Sequence, residues 1–186
     1  MQALIIHGSR NPEGQTARAA EACADGLRGQ DVKVEKVFLP ELGIERCRQC
    51  EANGWGICRS EGRCIIDDDF EALCQQIRQA DAVVWANPVY FSDLSESLRA
   101  FLDRLRRICR HEAGKEGIDG TLAIGICVAG GGGGGAPAAA MKLEEIVSRC
   151  GFDMADMIPV RRQNLEHKVE VLKLTGAWLA GYSARV

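Results

Sequence analysis

Two hydrophobic periods alternate along this chain. Leu4 to His7 is a short continuous apolar run that stops at Gly8, the pattern of a strand buried on both faces. Thr16, Ala20, Cys23, Ala24 and Leu27 then recur at helical spacing and stop near Gly29. Val32 to Leu39 alternates with Lys33 and Glu35 and reads as a half-exposed edge strand. After a cysteine-bearing loop from about 42 to 64, Asp67-Asp68-Asp69 opens a second helix, where three carboxylates complement the helix dipole. Ala82 to Ala86 is another buried strand, closed by Asn87-Pro88. Leu94, Leu98, Phe101, Leu102, Leu105 and Ile108 form one helical stripe. Thr121 to Val128 is a fourth strand running into six consecutive glycines, Gly130 to Gly135. Met141 to Val147 lies on a fourth helix, Met154 to Pro159 makes a fifth strand, and Gln163 to Leu179 makes the last helix.

Strand–helix alternation of this kind predicts a parallel sheet with helices on both faces. The glycine tract sits at a strand-to-helix junction, flanked by Ala129 and Ala136-Pro137-Ala138, so it reads as a turn that lets backbone approach a ligand rather than as a linker. The expectation is one domain over 1–186, with a cysteine-rich loop at about 42–66. In such a sheet ligands bind beyond the carboxyl ends of the strands. Three loops are placed there. His7 to Thr16 has the position of a phosphate loop but lacks a dinucleotide fingerprint, and Gln15 stands where a triphosphate-binding lysine would be. Its alternative role is a capped helix start, with Asn11 or Thr16 as the cap. Asn87 to Asp93 carries Tyr90 and Phe91, suited to lying against a flat ring or, alternatively, folding into the core. The glycine tract offers unshielded amides. Together they suit a flat, phosphorylated ring compound.

Composition narrows the partners. Of 186 residues, 46% are hydrophobic and 26% charged, with a net charge of −3, so no basic field points to nucleic acid or an anionic membrane. Aromatics at 5% are too few for base-stacking platforms. The most apolar stretch, Leu122 to Met141, is broken by the glycines and Pro137, so no membrane span is expected. The chain opens on a strand-like run without the features of a secretory signal, and a cytoplasmic protein is expected. Nine cysteines are then many. Cys23, Cys74, Cys109, Cys127 and Cys150 lie in apolar patterns and read as core residues. Cys47, Cys50, Cys58 and Cys64 crowd into 18 residues. Arg104, Arg106, Arg107, Arg110 and Lys115 read as a solvated cationic helix end, or else as an attractor of cofactor phosphates. His7, His111 and His167 are scattered and carry no assigned chemistry. The last helix has one apolar stripe for the sheet and a second (Val171, Leu174, Trp178) for more core or a subunit interface.

Gly8-Ser9-x4-Gly14-x-Thr16, Asn87-Pro88-Val89-Tyr90-Phe91 and Leu98-Arg99-Ala100-Phe101-Leu102-Asp103-Arg104 resemble the NADPH-dependent FMN reductase family over about residues 1–150. The resemblance implies a flavodoxin-like fold with five-stranded order 2-1-3-4-5. It implies non-covalent FMN. Ser9, Asn11, Gly14, Gln15 and Thr16 would hold the phosphate, with Arg10 beside them. Pro88, Val89, Tyr90 and Phe91 would run along the isoalloxazine, and Ala129, Gly130, Gly131 and Gly132 would close the other side. Arg10-Asn11 departs from the proline-arginine frequent in the family, leaving open which side chain faces the phosphate. The implied activity passes a hydride from NAD(P)H to flavin N5, then electrons to a small acceptor such as a quinone or free flavin, with no catalytic side-chain acid or base. The cysteine loop is similar in position to that of the iron–sulfur flavoproteins, although its middle gap of seven residues departs from their usual two. Cys47, Cys50, Cys58 and Cys64 could hold a [4Fe–4S] cluster or zinc, or no metal at all. With a cluster, the alternative role is an electron carrier between redox protein partners. Relatives are commonly homodimers or homotetramers.

Overall fold

The computed structural model describes residues 1–183, and its sheet has five strands in the order β2-β1-β3-β4-β5, every neighbouring pair parallel. The expected order is borne out. The strands are β1 (Gln2–His7), β2 (Lys33–Phe38), β3 (Ala82–Pro88), β4 (Leu122–Ala129) and β5 (Asp153–Arg161). β3 and β4 are buried along their whole length and β1 from Ala3 onward, which is why their sequences read as unbroken apolar runs. β2 and β5 are the half-exposed edges.

The helices cover both faces. α1 (Gln15–Arg28) and α7 (Leu165–Ser183) pack on one face over Ala3, Ile5, Val84, Ile124 and Ile126. α3 (Phe70–Arg78), α4 (Glu96–Ile108) and α6 (Ala136–Cys150) pack on the other over Leu4, Ile6, Val83 and Trp85. Two single-turn helices, α2 (Ile57–Ser60) and α5 (Glu112–Lys115), lie in the connections. α6 begins five residues before the first large apolar mark of its pattern, because alanines and a first-turn proline carry its start. All five cysteines expected in the core are buried, and burial pushes the Cys23 thiol up to about 12.

One expectation changes. Arg104 is not part of a solvated helix end. It is 1% exposed, its guanidinium pairs with Asp68 at 2.6 Å, donates to the Glu45 carbonyl at 3.1 Å and lies 4.2 Å from the Phe70 ring centroid. Arg104 stands three residues after Phe101 and four before Ile108, within the buried stripe of α4. The aspartate run follows suit. Asp68 accepts from the amides of Glu45 and Phe70, and Asp69 from that of Gly43, so the run fastens the cysteine loop as well as starting α3. Arg107 also reaches inward, donating to the Gly54 carbonyl at 2.7 Å and lying over the Trp55 ring at 4.9 Å. Among the described residues, no helix is long and apolar enough to cross a membrane.

Candidate functional site

β1, β3 and β4 are adjacent in the sheet, so the loops leaving their carboxyl ends form one edge. Contacts tie them together. The Gly8 amide donates to the Ala86 carbonyl at 2.8 Å, and a side chain at Gly8 would meet Ser95 Oγ at 2.5 Å, so only glycine lets α4 start this close to β1. The Val89 amide donates to the Val128 carbonyl at 2.9 Å. Gly130 faces the Gln15 side chain, and Gly135, with φ of +80°, lies against Ser92. Ser9, Arg10, Asn11, Gly14, Gln15, Thr16, Pro88 to Phe91 and Ala129 to Gly132 all lie in loops at this edge. Of these, Arg10, Tyr90 and Phe91 line a cleft of about 450 Å³, together with Gly8, Pro40 and Glu96 among others; the remaining residues lie outside its lining.

The first loop is an open helix start. Asn11 Oδ1 accepts from the Glu13 amide at 2.9 Å and Ser9 Oγ from the Asn11 amide at 3.2 Å, both within the loop. The residue capping α1 is Gly14, which offers no side-chain acceptor. Neither Asn11 nor Thr16 caps the helix, so the first amides of α1 are left for another acceptor. Ser9 and Thr16 are buried beside them. The Gln15 side-chain oxygen is buried without a hydrogen-bond partner. Gly131, Gly132 and Gly134 have open space where a side chain would stand, and Gln163 Nε2 holds the Gly132 carbonyl at 2.9 Å. Gln163, Ser95 and Ser97 had no sequence signal as site residues; they act by fixing the loops. Tyr90 is half exposed and Phe91 fully exposed, so the aromatic pair does not fold into the core.

The four clustered cysteines lie elsewhere. Cys47, Cys50, Cys58 and Cys64 line one small cavity with Trp55, Arg104, Arg107 and Ile108, against the second half of α4. Glu96, at the other end of α4, borders the cleft, so the two features are about 12 to 18 Å apart along the helix at about 1.5 Å per residue. The cavity holds about 20 Å³, room for about one water. Among the described residues, no three His, Cys, Asp or Glu side chains converge closely enough to hold a metal ion. Trp55 lines this cavity within 5.5 Å of the Arg59 guanidinium and 4.9 Å of the Arg107 guanidinium, and is not part of the cleft lining.

Residues 1–175 match the family model described as NADPH-dependent FMN reductase. An iron–sulfur flavoprotein of Methanocaldococcus jannaschii is 27% identical over 125 residues, 67% of this chain and 62% of that protein. A putative NAD(P)H-dependent FMN-containing oxidoreductase of Bacillus subtilis is 24% identical over 110 residues, 59% of this chain and 55% of that protein. Both matches therefore span less than two thirds of the curated relative. Among solved structures, an NAD(P)H:quinone oxidoreductase from Methanothermobacter marburgensis superimposes with a TM-score of 0.67 at 20% identity, over 96% of this chain and 94% of that one, and shows the same fold.

Proposed function

The chain belongs to the NADPH-dependent FMN reductase family, and from that membership we propose that it is an FMN-dependent oxidoreductase using NAD(P)H and a small acceptor such as a quinone or free flavin. The observation that carries the reading is the uncapped start of α1, opening beside a buried and unpartnered Gln15 side-chain oxygen and the open glycines of the β4 loop. These residues fit FMN. The amides at the start of α1, with Ser9 and Thr16, suit a phosphate monoester, and the helix dipole favours its charge. The absence of a lysine at position 15 fits a monoester better than a magnesium triphosphate. The Gln15 oxygen suits a hydroxyl donor such as those of a ribityl chain. Pro88, Val89, Tyr90 and Phe91 would lie along one side of the ring and Ala129, Gly130, Gly131 and Gly132 along the other, with Arg10 at the mouth. Bound FMN would supply hydride acceptance and electron release. The protein's part is to bind, orient and shield, and it needs no side-chain acid or base.

A second reading, an electron carrier with a cluster on Cys47, Cys50, Cys58 and Cys64, is favoured by one observation: all four thiols line a single cavity. In this arrangement the four thiols do not converge on one point.

The visible spectrum of anaerobically purified protein tests both readings. A resolved two-band flavin spectrum alone is the expected result. Additional broad absorption bleached by dithionite would move the assignment to the electron carrier. Colourless protein that takes up no added FMN would sink both.

A further inference from the structure

Phe91 and Ser92 are adjacent non-glycine residues in the left-handed region, with φ of +49° and +63°. Left-handed backbone is sparsely populated by such residues and persists only where the surroundings impose it. Tyr90 and Asp93 close the turn around them by exchanging both backbone hydrogen bonds, at 3.2 and 2.9 Å. Two-residue turns with positive φ at both central positions are usually Asn-Gly; here they are Phe-Ser. The turn is held from outside. The Asp93 carboxylate pairs with Arg99 of α4 and, at 3.0 Å, with Lys142 of α6. Lys142 also donates to the Ser92 carbonyl at 3.2 Å. Gly135 presses from below, and a side chain there would meet Ser92 Cα at 2.8 Å. The product of these contacts is Phe91, fully exposed at the cleft.

Exposed ion pairs contribute little to folding, and a relaxed turn would need only Asn-Gly at positions 91 and 92. Three charges from three elements are instead spent on keeping a strained turn that exposes an aromatic ring. We propose that Asp93, with Arg99 and Lys142, is a positioning residue that locks the Tyr90–Asp93 turn in the shape that receives the flavin ring. The proposal rests on the flavin reading above. It makes the turn preorganised: without the triad the turn relaxes, and FMN must select the competent fraction.

The test is the FMN dissociation constant of wild type, Asp93→Asn, Lys142→Met and Lys142→Arg, from quenching of flavin fluorescence, with the band shape of the bound flavin and the thermal melt recorded alongside. Asp93→Asn is expected to weaken FMN about tenfold, as when the competent fraction falls to about a tenth, and to blur the bound-flavin bands toward those of free FMN. Its melt without FMN should stay close to wild type. Lys142→Met should shift the same way by less, and Lys142→Arg should restore binding. Unchanged FMN affinity and band shape in Asp93→Asn and Lys142→Met would overturn the proposal while leaving the flavin reading intact. If Asp93→Asn does not fold, Lys142→Met decides alone, and wild-type affinity there overturns the proposal. Wild-type protein that binds no FMN would overturn both.

Discussion

At the end of β1 the imidazole of His7 stacks on Phe38 with ring centroids 4.3 Å apart, is 2% exposed, and has no hydrogen-bond partner on either nitrogen. Burial lowers its pKa from 6.5 to about 4, Lys36 pushes it the same way, and Glu21 opposes. The folded protein therefore binds fewer protons than the unfolded chain between these values. The sign follows: this contribution is complete above pH 6.5 and is lost as pH falls toward 4, up to about 3 kcal/mol. Urea unfolding at pH 7 and pH 4.5 should show His7→Phe losing less stability than wild type over that interval; parallel losses would refute it. Such a residue is hard to read from sequence, since one histidine at the end of an apolar run looks the same whether it meets water or a ring. Arg104 shows the opposite case. Its spacing to Phe101 and Ile108 marked it as inward, but its neighbours Arg106, Arg107 and Arg110 drew it into a charge cluster, and its partner Asp68 lies 36 residues away.

The crossing of α1 and α7 is set by two glycines. A side chain at Gly26 would collide with the Lys173 carbonyl, and one at Gly176 with the Cys23 carbonyl, so the two helix backbones nearly touch. Alanine favours a helix over glycine by about 1 kcal/mol, but backbone cannot yield as a side-chain end can, and overpacking costs about 1–3 kcal/mol. Gly176→Ala should therefore lower the melting temperature by about 2–4 °C for a net loss of about 1 kcal/mol in a chain of this size. Gly181→Ala, in the same helix with open space around it, is the control and should hold or raise it. A Gly176→Ala protein melting at or above wild type would refute the packing argument. At this scale the sequence was informative wherever large apolar residues recur. The strands β1, β3 and β4 and the stripes of α1 and α4 were legible. The four-residue helices α2 and α5 were not, because one turn carries no period. The second stripe of α7 proves to face outward, with Leu174 72% and Trp178 46% exposed, which removes the core alternative for it.

For the whole molecule, the parallel order β2-β1-β3-β4-β5 brings three loops, distant in sequence, to one edge; the parallel sheet follows from strand periodicity and the handedness of the crossovers, and the order from the family resemblance. Which loop residues meet was not legible, because Gly135 under Ser92, Gln163 on Gly132 and Lys142 on Asp93 join positions 31 to 49 residues apart through backbone shapes that leave no periodic mark. A ligand that bridges those loops must stabilise the fold as a unit, since it binds the assembled edge and not the unfolded chain. At a hundred times its dissociation constant, FMN should contribute about 2.7 kcal/mol, raising the melting temperature by about 5–10 °C. Riboflavin separates the two halves of the site: it keeps the ring and the ribityl chain but lacks the phosphate. If the open start of α1 holds the phosphate, riboflavin at the same concentration should give a clearly smaller shift than FMN, and inorganic phosphate should compete with FMN but not with riboflavin. Equal shifts from FMN and riboflavin would mean that the ring loops bind without the α1 amides, and the assignment of those amides, with Ser9 and Thr16, to the phosphate would fall even though the flavin reading stood.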